Sequence, residues 1–414
     1  MPINKKSTIN NIITWLHLWL GLISGIIVVI VSITGCIFTF QKEISSLIYE
    51  EELFVTPPSP STQPLPISEL KESAQKALGA DQPINYVTSY TDRNRSWEFL
   101  AYKAGDPNAI TFPESIDYYE SAFVNPYTGQ VTGKINYMHD FFIIVKYIHW
   151  SLYLSTKYGQ PIVGWGTLIF IISLITGLIM WVPKRWSRFE KNKAFKVKWK
   201  ARWKRLNYDL HNVLGFYTII IALILGLSGL LYSFQWFSKA AYATVTLSTE
   251  APPFPSYTSE DRATEQASPE ALPIDQALAH SKHKFQGVTR YGISIPQTSK
   301  APITVSAYNR HEVYYDYDAA YFDQYSGEEL GQSLYKNKNA GQKLLAMKYD
   351  IHVGAIGGIW GKIIAFLVSL VCASLPITGF IIWWGKKKKT KKKGKRKPAS
   401  RQKRKKEKEV AYTV

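Results

Sequence analysis

The sequence predicts a membrane protein with four transmembrane α-helices in two parallel repeats, each repeat carrying a small extracytoplasmic α+β domain. Three observations predict it. Four segments, 12–40, 162–182, 213–237 and 356–384, are apolar and nearly free of charge, and each meets the ~20 residues that cross a bilayer core. The stretches between them differ sharply in charge. And the first half recurs in the second: His17 is followed by Gly21 and Thr34-Gly35, His211 by Gly215 and Ser228-Gly229, at the same spacings.

Residues 1–11, with Lys5 and Lys6, form a short N-terminus before the first span, 12–40. The span contains "SITGC", which resembles a lipoprotein cleavage box. A signal peptide's apolar core is usually ~7–15 residues and this run is far longer, so the helix is read as retained. Residues 41–140 form the first outer domain. It has a Pro-rich linker, "TPPSPSTQPLP", an amphipathic helix in "PLPISELKESAQKALG", and strand-like runs in "INYVTSY", "SWEFLAY" and "SAFVNPYTGQVTG". A helix over 141–161 leads into the second span, 162–182, which ends "ITGLIMW". A basic loop, 183–210, joins it to the third span, 211–237. The second outer domain, 238–350, repeats the first: a linker, "TEAPPFPSYTSEDRATEQASPE", a helix in "ALPIDQALAHSKHKF", then "VTRYGISI", "APITVSAY" and "AAYFDQYSGEEL". Gly129 in "NPYTGQV" and Gly327 in "DQYSGEE" occupy matching places and suit turns. The fourth span, 351–384, ends "ITGFIIWW", and a basic tail, 385–414, is expected to be disordered.

Each repeat has an even number of spans, so the two are parallel, related by an axis along the membrane normal. The net charge of +19 is concentrated in the central loop and the tail. Short basic loops mark the cytoplasmic side, so both termini are expected there and the two larger regions outside. The tail lacks aromatic residues and follows a span directly. Attraction to anionic lipid headgroups accounts for it, and nucleic acid is not expected as a partner. Both cysteines, Cys36 and Cys372, lie in apolar segments, which leaves the outer regions without a disulfide framework.

Four of the eight histidines, His17, His149, His211 and His352, stand at or near span ends and have counterparts in the other repeat. Ionisable groups near a membrane core are costly and usually functional. Topology places His17 and His211 on the cytoplasmic side and His149 and His352 on the outer side. Paired imidazoles suit haem ligation, one axial ligand from each face of the iron. Gly21 and Gly215, one turn on from their histidines, leave room for a flat macrocycle. Zinc would want four ligands, and neither cysteine is near a histidine in sequence. A proton relay would predict Asp or Glu within the spans, which contain essentially none. His139 is an alternative ligand in place of His149, and one haem b or two remain open. His280, His283 and His311 lack counterparts and read as surface residues. Trp181 and Trp383, beside Lys and Arg, read as interfacial anchors.

The duplicated "H-x3-G … [TS]-G" spans, the "ITGLIMW-VPKRW" and "ITGFIIWW-GKKKK" endings and the "NPYTGQV" and "DQYSGEE" turns resemble the PepSY-associated transmembrane helix family over nearly the whole chain apart from the tail. The resemblance implies PepSY domains outside the membrane. It also implies haem bound by span histidines, which fall on His17, His149, His211 and His352, and a bacterial inner-membrane role in iron uptake. Some members are ferric-siderophore reductases and others are known only as iron-regulated membrane proteins.

Two functions are therefore expected as alternatives. One is an electron conduit, possible as a ferric-siderophore reductase, from the His17/His211 side to the His149/His352 side. Its acceptor would be a ferric siderophore or another periplasmic species. The cytoplasmic parts have no nicotinamide or flavin fingerprint, so the donor is a separate protein, a quinol or a small reductant. The other is a non-catalytic membrane-anchored module whose PepSY domains bind or regulate a secreted protein or peptidase.

Overall fold

Helix α1 (Lys5–Thr39) follows from composition: from Thr8 to Thr39 no Asp, Glu, Lys or Arg interrupts the run. The computed structural model describes residues 5–183, 185–250, 252, 256–260, 272–311 and 313–395. After α1 come α2 (Gln41–Ile48), α3 (Glu50–Leu53), α4 (Ile67–Leu78), β1 (Tyr86–Tyr90), β2 (Trp97–Ala104), β3 (Ile116–Val124), β4 (Val131–Asn136), α5 (Phe141–Ser151) and α6 (Thr156–Trp181). The connecting region holds α7 (Arg188–Phe195) and α8 (Trp203–Asp209). A π turn, Leu210–Leu214, joins α8 to α9 (Gly215–Ser233). Then follow α10 (Gln235–Thr246), α11 (Pro273–Lys284), β5 (Arg290–Ser294), β6 (Ile303–Tyr308), β7 (Tyr317–Phe322), β8 (Glu329–Ser333), α12 (Ala340–His352) and α13 (Gly358–Lys395).

Among the described residues, four helical stretches are long and apolar enough to cross a membrane: Thr8–Thr39, Thr156–Trp181, Trp203–Ser233 and Ala355–Lys387. Several boundaries differ from the sequence expectation. The second span begins before 162, because the chain breaks at Leu152 (φ 56) and Tyr153 (φ 65), separating α5 from α6. The third starts at Trp203 and stops at Ser233, where α10 begins. The fourth excludes His352, which ends α12; Gly354 (φ 78) and Gly358 (φ 60) then turn the chain into α13. Only glycine enters that left-handed region without a Cβ penalty. Residues 385–395, the first part of the tail expected to be disordered, continue α13. Residues 396–414 and 261–271, the latter within the second linker, lie outside the described residues.

Helix α1 packs against α6 and α13, and α9 packs against the same two. The spans thus form a closed ring with α1 diagonal to α9. Glycine allows the close approaches. A Cβ on Gly166 would stand 2.8 Å from Ile27 Cγ2, and one on Gly226 would stand 3.0 Å from Ile171 Cγ1.

The strands form one antiparallel sheet of order β4-β3-β2-β1-β5-β6-β7-β8. The two outer units expected separately thus share a sheet, joined where β1 pairs with β5 through Val87↔Ile293 and Thr88↔Gly292. Alternation in the strands puts Val87, Trp97, Phe99, Ile293, Val305 and Phe322 on one buried face. Helices α4 and α11 cover that face, with Ile67, Leu70, Ala74 and Leu78 at helical spacing. Each large apolar side chain buried there contributes roughly 1.5–3 kcal/mol. Across the seam, Ser68 Oγ donates to Asp275 Oδ2 at 2.6 Å. The turn glycines are as expected: Gly129 (φ 71) and Gly327 (φ 75) close the β3–β4 and β7–β8 hairpins.

The bundle reaches the sheet layer through α5 and α12. Tyr147 on α5 stacks on Phe112 at 3.6 Å, and Tyr349 on α12 meets Tyr314 edge-on at 5.3 Å. Asp140 starts α5 by accepting from Ile143 N at 2.8 Å, and the Tyr49 hydroxyl donates to it at 2.8 Å. Asp350 on α12 accepts from Tyr315 N at 3.0 Å. The helices that carry His149 and His352 are thereby fastened to the sheet.

Candidate functional site

The four histidines with repeat partners come together as two facing pairs. His17 on α1 and His211 in the π turn come from diagonal stretches, and their ring centres are 6.3 Å apart at 75°. His149 on α5 and His352 on α12 face each other at 5.8 Å and 61°. The first pair lies at the end of the bundle far from the sheet, the second at the near end. Along α1 the pairs are reached at His17 and at Val31, fourteen residues apart, which is roughly 21 Å of helix.

All four imidazoles are held by the same local device. His17 Nδ1 donates to Ser173 O at 3.0 Å and lies 3.2 Å from Thr176 Oγ1. His149 Nδ1 donates to Val31 O at 2.8 Å and lies 3.3 Å from Thr34 Oγ1. His352 Nδ1 donates to Leu225 O at 3.0 Å, with Ser228 Oγ also at 3.0 Å. His211 Nδ1 lies 2.9 Å from Thr378 Oγ1. For His17, His149 and His352 the carbonyl and the hydroxyl are three residues apart on the partner helix.

This device fixes the tautomer. A carbonyl can only accept. Each hydroxyl already donates to the carbonyl four residues back: Thr34 to Ile30, Thr176 to Ile172, Ser228 to Ile224 and Thr378 to Ser374, at 2.7 to 3.0 Å. Towards the ring it is an acceptor. The proton therefore sits on Nδ1, and Nε2 keeps its lone pair, as a metal-binding imidazole requires.

The glycine after each hydroxyl residue makes room for the ring. A Cβ on Gly177 would stand 3.0 Å from His17 Cε1, and one on Gly35 would stand 3.1 Å from His149 Cε1. The corresponding values are 3.2 Å for Gly379 and His211 and 3.3 Å for Gly229 and His352. Sequence reading used Thr34-Gly35 and Ser228-Gly229 only to align the repeats. The signal was in fact fourfold, since "ITG" at Thr176 and Thr378 completes the set. By contrast, a Cβ on Gly21 would meet nothing within 4 Å and one on Gly215 would meet Leu375 Cδ2 at 3.4 Å. Neither lies against an imidazole.

His139, the alternative ligand, is exposed in the turn before α5 and does not line the cavity beside His149 and His352. His280 pairs with Glu329 at 2.9 Å, away from the bundle. Asp209, unassigned from sequence, is buried; Arg205 Nη2 lies 2.8 Å from it and Lys198 N donates to it at 3.2 Å. It ties α8 to the preceding loop just before the π turn that carries His211. Trp181 stacks on Phe216 at 3.7 Å, next to Gly215.

The donor set has a definite chemistry. Among the described residues no group of three or more His, Cys, Asp or Glu is placed to hold a metal, so a four-coordinate all-protein zinc site is not formed. Two imidazoles with free Nε2 atoms could hold the iron of a macrocycle between them. Two rings bound to one metal through ~2 Å bonds have centres roughly 6 Å apart, close to both observed spacings. A cavity of about 400 Å³ adjoins the second pair, lined by Gly35, Gly229, Cys372 and Ser369 besides the two histidines. Cys372 and Cys36 are buried free thiols.

A model of the PepSY-associated TM region matches residues 14–386. No curated protein matches the chain.

Proposed function

The chain belongs to the PepSY-associated TM family, and from that membership and its paired imidazoles we propose that it is a haem-binding electron-transfer protein of the bacterial inner membrane. Its substrate would be ferric, siderophore-bound iron on the outer side, reduced during iron uptake. The observation that supports this most is the pair of facing imidazoles at each end of the bundle, with Nδ1 engaged and Nε2 free.

His17 and His211 would hold one haem b, and His149 and His352 a second. Bound there, haem would supply one-electron redox chemistry. The chain's own part is orientation and exclusion of water. Thr34, Thr176, Ser228 and Thr378 hold the rings in one tautomer, the following glycines set their depth, and the apolar spans keep solvent out. Reduction turns the substrate iron into a softer, less charged ion that hard-oxygen chelators release more readily. The donor is a separate cytoplasmic protein or a quinol, and lipids are the remaining partners. Lys and Arg in the 183–210 loop and the tail support a cytoplasmic position for both termini. The rival reading, an anchored binding module for a secreted protein, gives four half-buried imidazoles no work.

The test is an absorption spectrum of the detergent-purified protein, oxidised and dithionite-reduced. Sharp low-spin b-type bands are expected, with one component lost in His17→Ala and the other in His352→Ala. A protein that stays colourless despite ample haem during expression would sink the reading.

A further inference from the structure

The cavity beside His149 and His352 has a cationic side that ligation does not use. Lys146 lines it from α5, one turn before His149. Lys348 stands one turn before His352 on α12, with Nζ 4.3 Å from the ring of Tyr232, which lines the same cavity. Spacings of three and four residues put each lysine on the same helix face as its histidine. Lys146 Nζ lies 4.7 Å from the Tyr147 ring and 6.0 Å from that of Tyr119 on β3, so it occupies the sheet side of the cavity. Among the described residues neither lysine forms an ion pair with a carboxylate. Burial lowers the pKa of both ammonium groups below the usual lysine value, so an anion that shared their surroundings would be favoured. The other pair lacks this feature: Ile13 and Thr14 precede His17, and Asn207 and Tyr208 precede His211, at the same spacings.

We infer that Lys146 and Lys348 form an anion clamp on the sheet side of this cavity, each taking one carboxylate of a macrocycle that carries two. The inference rests on the haem reading above, since a haem b has two propionates on one edge. A charge-assisted hydrogen bond from a half-buried ammonium is roughly twice as strong as a neutral one. The clamp would turn that edge towards the sheet and fix the rotation of the ring, which two axial imidazoles alone leave free.

The experiment uses the full chain, purified without haem and reconstituted either with iron protoporphyrin IX or with its dimethyl ester, whose carboxylates are masked. Release to a haem scavenger is followed by absorption, in the kinetic phase that is absent from His352→Ala. Lys146→Gln and Lys348→Gln are each expected to speed release of the free acid roughly tenfold. Lys146→Arg and Lys348→Arg should stay near the parent, and the ester should leave all of them as fast as the glutamine variants. Equal release of the free acid from parent and glutamine variants would overturn the clamp and leave haem binding intact. A parent that takes up neither compound would overturn both. Should the lysines serve an anionic external substrate instead, haem release would not change, which also counts against the clamp.

Discussion

A histidine among apolar helices must be told which nitrogen keeps its proton, and here a hydroxyl and a carbonyl one turn apart do so. Second-layer contacts of this type are worth 10–100-fold in metal affinity. Thr378→Val keeps the shape but removes the acceptor 2.9 Å from His211 Nδ1. Gly177→Ala puts a Cβ 3.0 Å from His17 Cε1. Both are expected to weaken haem binding at the His17/His211 site about tenfold and to leave the His149/His352 site unchanged, as read by haem titration of each component. Unchanged affinity in both variants would show that the cradle does not orient the ring. The four histidines themselves were legible as repeated oddities in apolar runs. Their cradles were not, because Thr34 and His149 are 115 residues apart, and nothing local says which helix a threonine will face.

At the scale of elements, the corner between α5 and α6 sets the height of His149. Ser151 Oγ donates to Leu154 O at 2.5 Å and lies 3.1 Å from Tyr147 O, and Gly159 of α6 crosses directly against Ser151. A Cβ on Gly159 would come within 1.9 Å of Ser151 O, which is backbone and cannot yield by rotation. Gly159→Ala should therefore cost about 1–3 kcal/mol, seen as a lower thermal midpoint in detergent with parallel loss of the His149/His352 component. Gly361→Ala should behave alike, since its Cβ would stand 2.1 Å from Gly354 O. A midpoint equal to the parent in both would refute the corner as a constraint. The second corner was half legible, for "HVGAIGG" is rich in the residue that left-handed turns favour. The first was not: Leu152 and Tyr153 adopt positive φ without any local signal. The π turn at His211 was equally hidden, because one extra residue in a turn has no composition of its own.

At the scale of the molecule, four spans and two strand-rich regions could be read from hydropathy and alternation, but the seam between β1 and β5 could not. It pairs residues some two hundred positions apart, Tyr86↔Ser294 and Tyr90↔Arg290, and the alternation in each strand is the same whether or not the neighbour is present. The seam joins corresponding strands of the two halves, antiparallel and centred on Thr88↔Gly292. That is the contact a twofold axis makes when two copies of one chain meet edge to edge. The diagonal placement of α1 and α9 and both facing histidine pairs obey the same relation. The molecule thus has the form of two like halves joined edge to edge, and the tether around α7 is expected to be dispensable for their assembly. Two polypeptides cut at that tether, coexpressed, should copurify and bind haem, whereas Gly292→Val, which crowds the Tyr86 hydroxyl, should weaken their association. If the halves never meet, the linker is doing more than joining. If they do, the descent of this architecture from the fusion of two tandem genes has a physical footing, for the ancestral halves would have needed nothing but each other.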